Sequence, residues 1–211
     1  MKSQNIIYCL VLCVFISVAT ASCSTNPQVT RVSADTQTDL TGRWNDTDVR
    51  YVCEALIDSA IHFPPIDTYI RNYSTRNNGA LPMVIVGSFK NATSEHTVDT
   101  SIIANYMRAA IIKSGKLAFV ESGNTRDEIR AERWDQMTNA SDATAAAQAQ
   151  ETGAHFMLTG EVSSMEERLD NTTVRSYFVK ATMTNIETNV IIWEDMNSDI
   201  KKVIRQPKVK P

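Results

Sequence analysis

A single α/β domain is the fold class this sequence predicts, and three observations carry that expectation. Apolar residues recur at three- and four-residue spacing in several segments, the period of an amphipathic helix. Between these segments lie apolar or alternating runs of strand length. The last part of the chain holds three such runs joined by short turns, which predicts a closing three-stranded meander.

The first element stands outside that domain. Lys2 is followed by an apolar run from Ile6 to Val18 and then by Ala19-Thr20-Ala21-Ser22-Cys23. One positive charge, about a dozen apolar residues and small residues at a boundary predict a secretory signal peptide over residues 1–22. The run is too short for a membrane span, which needs about 18 apolar residues. A cysteine directly after the small residues predicts a bacterial lipoprotein acylated on Cys23. Thr20 stands where the lipid-attachment signal usually has Leu, Val or Ile, so cleavage and export without lipid is the alternative. Each buried acyl methylene contributes about 0.8 kcal/mol, and two or more chains anchor stably. Ser24, in place of the aspartate that retains many lipoproteins in the inner membrane, points to the periplasmic side of the outer membrane.

Residues 23–38 comprise the lipidated Cys23 and a polar, aperiodic stretch that reads as a flexible tether. Fully extended it reaches roughly 50 Å. Cleavage leaves about 189 residues, enough for one domain with a sizeable core, placed at 39–200. Net charge −3 gives no general attraction to nucleic acid or to an anionic surface, so nucleic acid is not an expected partner. Of four cysteines, Cys9 and Cys13 leave with the leader and Cys23 is the lipid site. Cys53 then remains alone and excludes both an internal disulfide and a multi-thiolate metal site. The N-x-S/T sequences at Asn45, Asn72, Asn91, Asn139 and Asn171 are chance products in a bacterial envelope protein.

Order is expected from Asp39. Asn45 or Thr47 caps a helix whose first turn holds Asp46 and Asp48, favourable at the positive end of the dipole. Val49, Val52, Cys53, Leu56, Ala60 and Ile61 form its stripe, and Pro64-Pro65 ends it. A short second helix runs from Ile66 to about Tyr73. Met83 to Phe89 is a continuous apolar run, expected as a central strand buried on both faces. Asn91 to His96 is a polar loop, followed by a helix from Asp99 to Gly115 with Ile102, Ile103, Tyr106, Met107, Ala110 and Ile111 inward. Leu117 to Val120 is a second strand.

Asp127 to Trp134 is a charged helix, and Ala143 to Thr152 an alanine-rich one. Phe156 to Val162 begins a third strand. Val174 to Asn185 alternates Tyr177, Val179, Ala181 and Met183 against Ser176, Lys180, Thr182 and Thr184, a half-buried strand. Val190 to Asn197 is the fifth, with Ile191 and Trp193 on one side. The basic tail, 201–211, carries five positive charges and two prolines and is expected to be solvated, or else to meet an anionic partner.

A search for chemistry finds no catalytic residue, metal site or cofactor motif. His62, His96 and His155 are far apart and have no ligand spacing. With 7 glycines in the chain, neither a nucleophile elbow nor a phosphate-cradling loop is present. Two polar clusters remain. Arg43-Trp44-Asn45-Asp46 with Asp48 is either a contact patch or a helix start whose tryptophan packs as a staple. Ser94-Glu95-His96 either binds a partner or only prepares the following helix.

Several motifs occur in a fixed order: Asp39-Leu40-Thr41-Gly42-Arg43-Trp44-Asn45-Asp46-Thr47-Asp48, Val84-Ile85-Val86-Gly87, Ser94-Glu95-His96, Ser114-Gly115-Lys116, Asp127-Glu128-Ile129-Arg130-Ala131-Glu132-Arg133 and Glu151-Thr152-Gly153-Ala154. From about residue 38 to residue 200 the sequence resembles the LpoB-like outer-membrane lipoproteins, activators of penicillin-binding proteins. The resemblance implies an α+β fold like the N-terminal domain of TolB, a small mixed β-sheet flanked by helices. It also implies a non-enzymatic role, in which the lipoprotein docks on a bifunctional peptidoglycan synthase (a penicillin-binding protein) and stimulates cell-wall synthesis. A structural lipoprotein subunit of an envelope secretion or transport assembly, as in curli export, is the alternative. A small-ligand binder with a deep apolar pocket is a third.

Overall fold

The computed structural model describes residues 29–33, 36–121, 123–138 and 153–207. The signal peptide, the Cys23 lipid site, most of the tether and the alanine-rich segment 143–152 lie outside the described residues. Contacts among residues divide the chain into Met1–Thr36 and Gln37–Pro211. The second unit is α+β, with six strands in one mixed sheet and, among the described residues, four helices.

Helix α1, Asp46–His62, starts after Asn45, one of the two caps the sequence offered. Asn45 accepts from the Asp48 amide while the Asp48 carboxylate accepts from the Asn45 amide, each at 3.0 Å, a reciprocal capping box. Helix α2, Pro64–Arg76, opens on prolines that are pre-set for a first turn. Strand β1, Met83–Ala92, pairs in parallel with both the short β2, Ala118–Phe119, and β3, Phe156–Leu169. Helix α3, Thr100–Ser114, makes the crossover from β1 to β2, capped by Asp99 and closed by Gly115 at φ +63°. Helix α4 is Asn124–Thr138, longer than the charged segment predicted. Strands β3, β4 (Thr172–Asn185) and β5 (Ile191–Asn197) form the expected antiparallel meander, with β3 seven residues longer than its predicted start segment.

Helices α1 and α3 pack on one face of this sheet, with α2 against β5. Val52, Cys53 and Leu56 of α1 and Ile103, Met107 and Ile111 of α3 meet Val84, Phe156, Leu158, Val179 and Met183 from the sheet. Each such large side chain contributes about 1.5–3 kcal/mol by leaving water. Gly160 of β3 is required there, because a β-carbon would overlap the Phe89 ring.

The structure corrects four expectations. Strand β1 is buried on one face only: Val84, Val86 and Phe89 are inside, while Ile85 is half-buried and Ser88 exposed, because no described helix covers the second face. In α3 the apolar stripe is wider than the contact it makes, so Ile102 and Tyr106 face solvent. Ile191 is exposed although Trp193 is buried, because the β4–β5 register shifts between Met183 and Thr184. Residues 201–205 are not solvated tail. They form β6, antiparallel to β4 through Thr172–Ser176, with Lys202 buried and Ile204 half-buried between exposed Lys201, Val203 and Arg205. That is the two-residue period of a strand with one covered face.

Candidate functional site

The two polar clusters singled out in the sequence, around 43–48 and 94–96, are joined by side chains from β4 and β6. The join begins at Lys202. Its ammonium donates to Asp48 Oδ2 at 2.6 Å, to Asp39 Oδ1 at 2.7 Å and to the Arg43 carbonyl at 2.8 Å. Three acceptors satisfy all three of its protons, which is what allows a lysine to be buried. Asp39 also accepts from Asn45 Nδ2 and Gln37 Nε2, both at 2.7 Å.

The two carboxylates respond differently to the shared lysine. Hydrogen bonds from Lys202 and Gln37 hold the part-exposed Asp39 below the usual carboxylate range. Asp48 is almost fully buried, and desolvation pushes it up despite Lys202. The segment 37–45 is thus strapped over β6. Gly42, at φ +64°, sits where any β-carbon would overlap Ile204, so only glycine fits. A groove of about 610 Å³ is lined by the strap and by residues 199–204.

The second half of the join is Tyr177. The Trp44 ring packs on it at 5.3 Å between centroids, tilted by 57°. Its hydroxyl donates to Glu95 Oε1 at 2.6 Å, in the loop after β1. Desolvation and this donated bond push the phenol well above its ordinary value. Arg175, two residues away on β4, contacts the same Glu95 oxygen at 2.9 Å, Glu166 Oε2 at 2.6 Å and the Gly42 carbonyl at 3.4 Å. The Arg175 bond holds the Glu166 carboxyl low.

This geometry sorts the sequence-proposed contact residues. Trp44, Asn45, Asp48 and Glu95 turn inward and hold the strap, α1 and the β1–α3 loop together. Arg43, Asp46, Ser94 and His96 present exposed side chains. Sequence reasoning did not single out Tyr177, Arg175 or Lys202 as members of the cluster. The alternation of β4 placed Tyr177 inside, but no local signal says which loop its hydroxyl reaches.

The remaining candidates for chemistry have structural partners. His155 Nδ1 accepts the Met83 amide proton at 2.9 Å and its ring meets Tyr73 edge-on. That bond places the imidazole proton on Nε2. His62 bonds the Asp58 carbonyl within α1. Cys53 is buried, and desolvation pushes its thiol up to about 12, the condition of an inert thiol. Among the described residues no three His, Cys, Asp or Glu side chains are placed to hold a metal ion.

The sheet face away from α1 and α3 is different in character. Met157, Met165, Leu169, Met196 and Val203 are exposed on it, between Thr159, Glu161, Lys180 and Glu194. Methionine-rich apolar surface of this kind adapts to a partner.

Comparison with curated proteins finds no match. Among solved structures, the chain is similar to the LpoB C-terminal domain from Escherichia coli, at 14% identity over 75% of this chain and 99% of that one, TM-score 0.41. The LpoB C-terminal domain from Salmonella enterica matches at 16% identity, covering 65% of this chain and 93% of that one, TM-score 0.32. Lipoprotein GNA1162 from Neisseria meningitidis matches at 16% identity over 58% and 83%, TM-score 0.38. The family model described as peptidoglycan-synthase activator LpoB matches residues 48–198, well over half of the chain. By that match, this chain belongs to the LpoB family of peptidoglycan-synthase activators.

Proposed function

We propose that the protein is a periplasm-facing lipoprotein of the outer membrane, anchored through Cys23, that binds and activates a bifunctional peptidoglycan synthase without catalysing a reaction itself. The observation that carries this reading is the family match over residues 48–198. The lipoprotein-like leader supports the anchor, and the methionine-bearing sheet face that no described helix covers supports recognition of a protein. Arg43, Asp46, Ser94 and His96 are proposed as further contacts of that partner.

Activation without a catalytic group has one physical form. The activator binds an active conformation of the synthase more tightly than an inactive one, and the difference in affinity sets the shift. A rigid domain suits this role, and the Lys202 and Tyr177 networks rigidify the junction of strap, helix and sheet.

The test is reconstitution. Purified synthase from the same organism is assayed for glycan polymerisation and crosslinking with and without the mature protein. The expected result is a faster rate with the protein, saturating with its concentration. An unchanged synthase rate, together with a homo-oligomer in native mass measurements, would replace this reading with a structural subunit. For the anchor, Cys23→Ser is expected to move the protein from the membrane to the soluble fraction. Retention of the Cys23→Ser variant in the membrane would contradict acylation.

A further inference from the structure

Beyond residue 163, β3 has no β1 partner and runs on with β4 and β6 as a three-stranded ribbon. Cross-strand partners share a face, so register assigns each side chain. Pairing of Glu167 with Val174 and of Val174 with Val203 puts those three together, with Met165 and Leu169 two residues either side of Glu167. Lys201 and Arg205 flank Val203 on the same face. The opposite face holds Arg175, Tyr177 and Lys202, already engaged in the networks described above. The outer face therefore carries Met165, Leu169, Val174 and Val203 around the single carboxylate of Glu167, and it is basic along β6. Met165 is 57% exposed, Leu169 76% and Val203 55%. A cleft of about 470 Å³ opens beside Leu169 and Val174, with volume for one apolar side chain.

From this arrangement we infer that the outer face of the β3–β4–β6 ribbon is the docking surface for the synthase, and that the matching synthase surface carries carboxylates around an apolar anchor. This rests on the activator reading above. The charge pattern selects the occupant. Lys201 and Arg205 are exposed, and no ion pair within the chain engages either among the described residues. A second copy docking the same patch by two-fold symmetry would set these cations against their own copies. An anionic lipid surface would meet Glu167 and Asp170, which lie at the same end of the ribbon and line the same cleft. A protein with fixed carboxylates can answer the cations of β6 and avoid both acids.

The experiment measures binding of the mature protein to the periplasmic part of the synthase at low and high salt. One variant is Met165→Asp with Leu169→Asp; a second is Lys201→Glu with Arg205→Glu. Ile112→Asp, on the exposed side of α3, is the control. Both ribbon variants are expected to bind at least about tenfold more weakly, with Ile112→Asp unchanged. The charge-reversal pair is also expected to lose the salt dependence. Thermal melts monitor folding; if the aspartate pair does not fold, the charge-reversal pair, altering only exposed side chains, decides. Wild-type binding with undiminished ribbon variants overturns the inference and leaves the activator reading intact. No binding by wild-type protein overturns both. A ribbon variant that loses only vesicles of phosphatidylethanolamine and phosphatidylglycerol, and still binds the synthase, assigns the face to lipid and overturns the inference.

Discussion

Replacing Lys202 with methionine keeps an unbranched side chain, one atom shorter, and removes its charge. In the native protein the ammonium satisfies Asp48 at 2.6 Å, Asp39 at 2.7 Å and the Arg43 carbonyl at 2.8 Å. Lys202→Met leaves Asp39 part-exposed and able to reach water, so its loss is small. Asp48 cannot reach water, since only 6% of its side chain is exposed. Stranding a buried charge in this way costs about 3–5 kcal/mol. The Asn45 amide still bonds Asp48, which favours the low end, about 3 kcal/mol. For a domain of this size that lowers Tm by roughly 6–12 °C.

The pH dependence of that loss has a definite sign. The Asp48 carboxyl already lies above its ordinary value of 3.8 because of desolvation, and losing Lys202 raises it further. A raised carboxyl destabilises the fold at pH above its folded value, and the penalty disappears as pH falls toward 3.8. The stability gap between Lys202→Met and wild type should therefore narrow on acidification. Urea unfolding followed by circular dichroism at several pH values measures it. Adding Asp48→Asn to Lys202→Met removes the stranded charge and should restore part of the stability near neutral pH. A loss under about 1 kcal/mol at neutral pH, with no rescue by the second substitution, would refute the assignment of a buried ion network.

Three further outcomes follow from the same geometry. Gly160→Ala drives a methyl into the Phe89 ring and should lower stability by about 3 kcal/mol in urea unfolding. Tyr177→Phe removes the hydroxyl that donates to Glu95 and should cost about 1–3 kcal/mol, with a change in tryptophan fluorescence because Trp44 rests on that ring. Cys53, with its thiol pushed up to about 12, should resist alkylation at pH 8 in native protein and react in urea, as intact-mass measurement will show.

What was legible in the sequence was local. Asn45 and Asp48 are three residues apart, so the start of α1 was legible to within the choice between Asn45 and Thr47 as its cap. Gly115 marked the end of α3 for the same reason. The alternation in β4 gave the inward set Tyr177, Val179, Ala181 and Met183 correctly. The stripe of α3 was misread because periodicity reports which residues are apolar, not how wide a neighbour will be. Strand β1 was misread similarly: its run is largely apolar, but the described helices cover only one face of the sheet. Strand β6 was missed because three of its five residues are cationic and a charge run reads as solvated. The partners that make Lys202 buriable lie 154 and 163 residues away, beyond any local pattern. The β-branched pair Val203-Ile204 was the one available hint.

The same lysine fixes where mechanical load enters the domain. Asp39 stands at the start of the strap, and Lys202 ties it to β6 and, through Asp48, to the first turn of α1. Load on the strap is thus shared between an edge strand, one of the three that make the ribbon, and a helix. A pull on Asp39 would therefore be felt by the ribbon and by the first helix together.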